Sequence, residues 1–156
     1  MTMKPFVFSL ERMRDYRTQV LETEKNALLI LNKRLMEIEG SIQTCRCFRQ
    51  DKQEEMACRQ QQGSTMRELE ECKFYIENTR LQLEALEIER KIAALEVERQ
   101  RVVVVKASQD VASLDKLEEK QLDEYRYLEA RDNERTIQEH VIVQIAYASE
   151  DALQPF

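Results

Sequence analysis

Residues 59–69 read RQQQGSTMREL, and this stretch decides the fold. Gly63 is one of only two glycines, and Pro5 and Pro155 are the only prolines. On either side the chain is charged, apolar and almost free of helix breakers, so it either runs straight through this point or turns back on itself here. Gly63 suits the left-handed position just past a helix end, where a Cβ would be strained. Directly after it, Thr65 to Glu68 has the form of a capping box. The Thr65 hydroxyl accepts from the Glu68 amide, and the Glu68 carboxylate reaches back to the Thr65 amide. A stop signal followed at once by a start signal predicts a helix–turn–helix with its turn at about 62–65. Gly40 has no start signal behind it and is expected inside the first helix, at a cost of about 1 kcal/mol.

The composition agrees. Charged residues make up 35% of the 156, aromatics 6%, and the apolar share is mostly Leu, Ile, Val, Ala and Met. Sheets and compact α/β folds need turn residues that are scarce here, whereas long helices and coiled coils have this profile. The formal net charge of −6, with no basic block set apart from acids, argues against nucleic acid as a partner. No stretch is long and apolar enough to span a bilayer, and the N-terminus lacks the form of a signal peptide, so no direct membrane insertion is expected.

Apolar spacing identifies two helices. Leu28, Leu31, Leu35, Ile38, Ile42 and Cys45 step by three and four, the spacing of one seam on a supercoiled helix. After the turn a second seam runs Leu69, Cys72, Ile76, Thr79, Leu83, Leu86, then Ala93, Val97, Val104, Ala107, Val111 and Leu114, interrupted by Arg90 and Gln100. The VVVV of residues 102–105 resembles a strand in isolation, but it lies inside this repeat, and context should override its β propensity. The prediction is an all-α protein: a two-helix antiparallel coiled-coil hairpin with a longer C-terminal helix, forming one elongated domain over 1–156. Helix 1 is placed at about 9–61, helix 2 at about 65–147 and a tail at 148–156. Pairing about the turn sets Ile42 near Leu83, Leu31 near Val97 and Leu10 near Leu114. Residues from about 115 onward are then expected to have no partner within the chain. Because each helix supplies a seam to the other, the chain is expected to be a monomer.

Nothing in this pattern suggests catalysis. There is no Gly-rich phosphate loop, no Ser/His/Asp or Cys/His set, and no carboxylate pair distinct from the surface charge, so neither an enzyme nor a cofactor is expected. Cys45 and Cys47 are two residues apart, which on a helix sends them to nearly opposite faces. With His140 far along the chain, no metal site is expected from Cys45, Cys47, Cys58 and Cys72; reduced thiols are.

The second helix carries another apolar series. Phe74, Leu81, Ala85, Ile88, Ile92, Leu95 and Val102 are offset by two residues from the first seam, about 200° around the helix. The matching offset on helix 1 (Ile30, Lys33, Glu37, Gly40, Thr44, Cys47) is mostly polar. Exposed strips of this kind usually mark a binding site; other readings of the series are a wide stripe that packs more of the same helix or one that closes a homodimer. Pairing also places Phe48 level with Phe74 and Asn78, so an aromatic cluster is expected near the turn.

Three parts of the chain together resemble a known family. The start KPFVFSLERMRDYR carries alternating Phe6, Phe8 and Leu10 before Glu11. The middle is the hairpin, and the end LDKLEEKQLDEYRYLEARDNERTIQEHV is a highly charged helix with Leu117, Glu124, Tyr125, Arg131 and Glu134. Over roughly residues 4–147 the chain resembles FliJ, the central-stalk subunit of the flagellar type III export ATPase. The resemblance implies a non-enzymatic cytoplasmic stalk, peripherally associated with the inner membrane through the export apparatus. Its terminal end would enter the export ATPase hexamer through Phe6, Phe8, Leu10, Tyr125, Leu128 and Arg131. Its hairpin end would reach the membrane export gate protein through Phe48, Phe74, Leu81 and Ala85, and family members also handle export chaperones. Other readings of the same pattern are a generic coiled-coil scaffold, the stalk of a type III secretion injectisome, and a prefoldin-like chaperone subunit, which would carry strands between its helices.

Overall fold

The structure, a computed structural model, describes residues 4–152. It is all-α, with α1 spanning Glu11–Gln62 and α2 spanning Met66–Asp151, and no strand among the described residues. The helices have 52 and 86 residues, so the C-terminal one is the longer. Each starts one or two residues later than the sequence suggests, and α2 ends four residues later. The expected tail beyond residue 152 lies outside the described residues. The turn is Gly63–Thr65. Gly63 takes φ +83°, the only positive φ among the described residues.

The capping box closes as its sequence dictates. The Glu68 amide donates to Thr65 Oγ1 at 3.4 Å and the Thr65 amide to Glu68 Oε2 at 3.3 Å. Ser64 adds a hydroxyl bond to the same carboxylate oxygen at 2.6 Å. Arg59, in the last turn of α1, pairs with Glu55 at 2.8 Å and approaches Glu68 at 3.8 Å, linking the end of one helix to the start of the next.

Contacts group the chain into two compact units: Gln19–Ser108, and the described residues up to Thr18 together with those from Gln109 onward. In the first, α1 and α2 run antiparallel. Cys45 meets Gln82, Arg46 pairs with Glu87 at 3.0 Å, and Gln100 donates to the Glu24 carbonyl oxygen at 3.1 Å. The core holds Ile38, Ile42, Leu83 and Ala93, with Leu35, Cys45 and Leu86 packed against it. Cys72, Val97 and Ala107 are buried too, so the seam read from the sequence is the one that packs. Burying each large apolar side chain is worth about 1.5–3 kcal/mol. Thr79 is also buried, and its hydroxyl donates to the Tyr75 carbonyl oxygen at 2.7 Å, leaving no unpaired polar group. Gln100 bonds across to Glu24, which explains how the seam tolerates it. Residues 102–105 are helical, with Val104 turned toward the seam and Val102, Val103 and Val105 exposed.

In the other unit Arg17 pairs with Asp110 at 3.6 Å and Arg14 with Glu118. Residues 4–8 are not helical, and Phe8 is buried at 4% exposure beneath the Arg14 guanidinium, 5.6 Å from its ring. The Phe6 ring packs against that of Tyr125, centroids 5.7 Å apart and planes tilted by 53°. The expectation that α2 lacks a partner from about 115 is therefore corrected: the partnered part reaches Tyr125. Extended backbone covers about 3.3 Å per residue against 1.5 Å for a helix, so a few N-terminal residues reach far along α2. From Arg126 to Ala152 every residue is exposed.

Candidate partner-binding surfaces

The first surface is the strip on α2 within Gln19–Ser108. Phe74, Leu81, Ile88, Ile92, Leu95 and Val102 are each 51–69% exposed, and Ala85 is exposed beside them. Neither α1 nor any loop covers them. Their exposure follows from the two-residue offset: with Thr79, Leu83, Ala93 and Val97 turned into the hairpin, this series points nearly the opposite way.

Near the turn, the aromatic cluster differs in its members from the expectation. Phe48 is level with Phe74, but its ring meets Tyr75 edge-on at 6.2 Å, and Phe74 joins through Tyr75 at 5.8 Å. Tyr75 lies on the flank of α2 nearer α1, whereas Phe74 lies farther around. Tyr75 belongs to neither apolar series, so spacing alone does not point to it. Its position next to Phe74, level with Phe48, was the available signal. Lys52 caps the cluster, its ammonium 5.7 Å from the Phe48 ring and 5.1 Å from that of Tyr75. The hydrogen bond that Lys52 donates to the Glu55 carboxylate, opposed by partial desolvation, raises the Lys52 pKa, and the same bond lowers that of Glu55. A shallow groove beside this cluster is lined by Thr44, Cys45, Phe48, Tyr75, Asn78 and Gln82.

The second surface is the end of α2. Of the residues assigned to an ATPase contact, Phe6 and Tyr125 are brought together, and the Tyr125 hydroxyl donates to the Lys4 carbonyl oxygen at 2.9 Å. Leu10 is half-buried and Phe8 buried, so Phe8 is not presented to a partner. Leu128 and Arg131 are exposed on the uncovered helix. Farther on, Ile137, Val141, Ile142, Val143, Ile145 and Tyr147 are all exposed, a run the sequence reading did not single out.

The four cysteines are free thiols, Cys72 in the core, Cys45 at its edge, Cys47 and Cys58 exposed. No helix among the described residues is long and apolar enough to cross a membrane. Comparison with known protein families, with curated proteins and with solved structures finds no match to this chain.

Proposed function

We propose that this chain is a non-enzymatic stalk of the bacterial flagellar type III export apparatus, working on the cytoplasmic side and held at the inner membrane through its partners. The carrying observation is the last part of α2. It stays helical from Arg126 to Asp151 although every residue there is exposed, and it ends in an apolar run from Val141 to Tyr147. Isolated helices gain little from propensity alone, and most helical stability comes from packing an apolar face. A helix of this length with exposed Val and Ile side chains is built to enter a partner. The resemblance of the chain's two ends to FliJ supports the export ATPase hexamer as that partner. Leu128 and Arg131 would engage its ring alongside the Phe6–Tyr125 pair.

The strip at Phe74, Leu81 and Ala85, with Phe48 at its aromatic end, is the surface offered to the membrane export gate protein, and export chaperones are further candidates for the exposed helix. The direct experiment mixes the purified chain with the flagellar export ATPase and follows co-elution and ATP hydrolysis. Full-length chain should bind and raise the rate, and a chain truncated after Tyr125 should do neither. Undiminished binding and stimulation by the truncated chain would sink the proposal.

A further inference from the structure

We propose that the exposed strip on α2 is closed by the same strip of a second copy of this chain, packed antiparallel about a twofold axis level with Leu86 and Glu87. Phe74, Leu81, Ile88, Leu95 and Val102 recur every seven residues, and Asn78, Ala85, Ile92 and Arg99 recur four residues after them. This is the alternating three–four spacing of a coiled-coil seam sustained over four heptads. α1 leaves it open, since its five regular apolar members and Ile92 are all at least half exposed.

The sequence of the strip is complementary to itself in one orientation. Setting Ile88 of one copy opposite Ala85 of the other puts a large side chain against a small one next to the axis. The following layers then match Leu81 with Ile92, and Leu95 with Asn78. The next layer places the Arg99 guanidinium over the Phe74 ring, an arrangement attracted by the ring quadrupole, and Val102 lies beyond it at the rim, level with Glu71. Symmetry repeats each layer on the other side of the axis, as an isologous interface requires.

Charge next to the axis and inside the seam fits the same orientation. Glu84 and Lys91 flank Ile88 on one edge of the strip. The nearby acids Glu84 and Glu87 are engaged by Arg80, Arg46 and Arg90, which leaves Lys91 without a carboxylate partner among the described residues. Antiparallel packing sets Glu84 of each copy opposite Lys91 of the other beside the axis; one heptad out it sets Glu77 opposite Glu98, each already paired with Arg80 or Arg101 of its own helix. Parallel packing balances a Glu84–Glu89 repulsion against a Lys91–Glu96 attraction at its edge but sets Arg99 against Arg99 inside the seam, and this buried like-charge contact disfavours it. Five large apolar side chains per copy (Phe74, Leu81, Ile88, Ile92 and Leu95), each half exposed or more, bury on the order of 1,000 Å² in total, near the lower end of specific interfaces. The intrachain seam needs no second copy, so the chain is a folded monomer when dilute and pairs as concentration rises into the micromolar range.

The pairing stands independently of the export proposal. If that proposal holds as well, the dimer hides Phe74, Leu81 and Ala85, and self-association excludes the gate contact.

Analytical ultracentrifugation of the full chain alone, across the micromolar range, tests the pairing. Wild type should shift from monomer to dimer. Glu84→Lys and Lys91→Glu should each weaken the dimer about ten-fold, since each replaces two attractions by two repulsions. The two substitutions together should restore it. Ile88→Glu should leave a monomer with unchanged helicity by circular dichroism. A monomer throughout the range overturns the proposal, as does a dimer insensitive to Ile88→Glu. Tighter association of Glu84→Lys, without rescue in the double variant, would mean parallel packing and overturn it too.

Discussion

The Tyr125 hydroxyl donates to the Lys4 carbonyl oxygen at 2.9 Å, a bond spanning 121 residues of sequence. It ties the non-helical N-terminal segment to α2, with the Phe6 ring against the Tyr125 ring and Phe8 buried between Phe6 and the start of α1 in sequence. Phe8→Ala should therefore cost far more than Tyr125→Phe. The first removes a buried aromatic, about 3 kcal/mol, and the second one partly exposed hydrogen bond, about 0.5–1 kcal/mol. Hydrogen exchange should show the loss in α2 between Asp110 and Tyr125 in Phe8→Ala. Equal protection in both variants would mean that the segment contributes nothing to holding this part of the helix.

The two glycines should respond in opposite directions. A Cβ on Gly63 meets no atom within 4 Å, but φ +83° is strained for any L side chain. Gly63→Ala should lose about 1 kcal/mol. Gly40 lies inside α1 at an ordinary helical φ, and a Cβ added there also meets nothing within 4 Å. Gly40→Ala should gain about 0.5–1 kcal/mol through helix propensity and a less flexible unfolded chain. Denaturant melts of the two variants decide the matter, and a loss from Gly40→Ala would mean that Gly40 serves some close approach.

Most of the fold was legible because each of its signals is local. Gly63 and Glu68 mark the turn within six residues, and the seam follows from spacing alone. The N-terminal segment was not legible in the same way. Its reach depends on Phe6 meeting Tyr125, and no periodicity announces that residues 4–8 lie along a helix more than a hundred residues away. Tyr75 was hidden for a related reason. It lies between the two series on α2, and only the side on which α1 packs reveals it as the partner of Phe48. The strip itself was legible in full, since an offset of two residues fixes its direction. What binds it is a property of another surface.

Acid should loosen the turn. Hydrogen bonds from Ser64 and then from the Thr65 amide hold the Glu68 carboxyl below its ordinary value of 4.5. Lys52, and to a smaller extent Arg59, does the same for Glu55. A carboxylate whose folded pKa is lowered favours the native state above its unfolded value, and that contribution disappears as pH falls through the folded pKa. Stability should thus be level above about pH 5 and decline below about pH 4.5. Glu68→Gln, which keeps the shape but cannot ionise, should flatten this decline in thermal melts taken across the acid range. An unchanged profile would show that the turn does not contribute to acid sensitivity.

The strip separates binding from folding most directly. Phe74 and Leu81 are 67% and 51% exposed, whereas Leu83, two residues beyond Leu81, is 8% exposed in the core. Replacing Phe74 and Leu81 together with Ala should leave helicity intact and the melting midpoint of the dilute chain within a few degrees, because little buried surface is lost. Leu83→Ala should cost about 2–4 kcal/mol, since it opens a cavity between the helices. If the strip is the gate contact, the Phe74/Leu81 variant should lose binding to the export gate protein in a pull-down with the purified components. Leu83→Ala, assayed where it is still folded, should retain it. A Phe74/Leu81 variant that melts as early as Leu83→Ala would assign these side chains to the hairpin core and remove them from the binding surface. One that stays folded and still binds the gate would leave the strip free for the second copy alone.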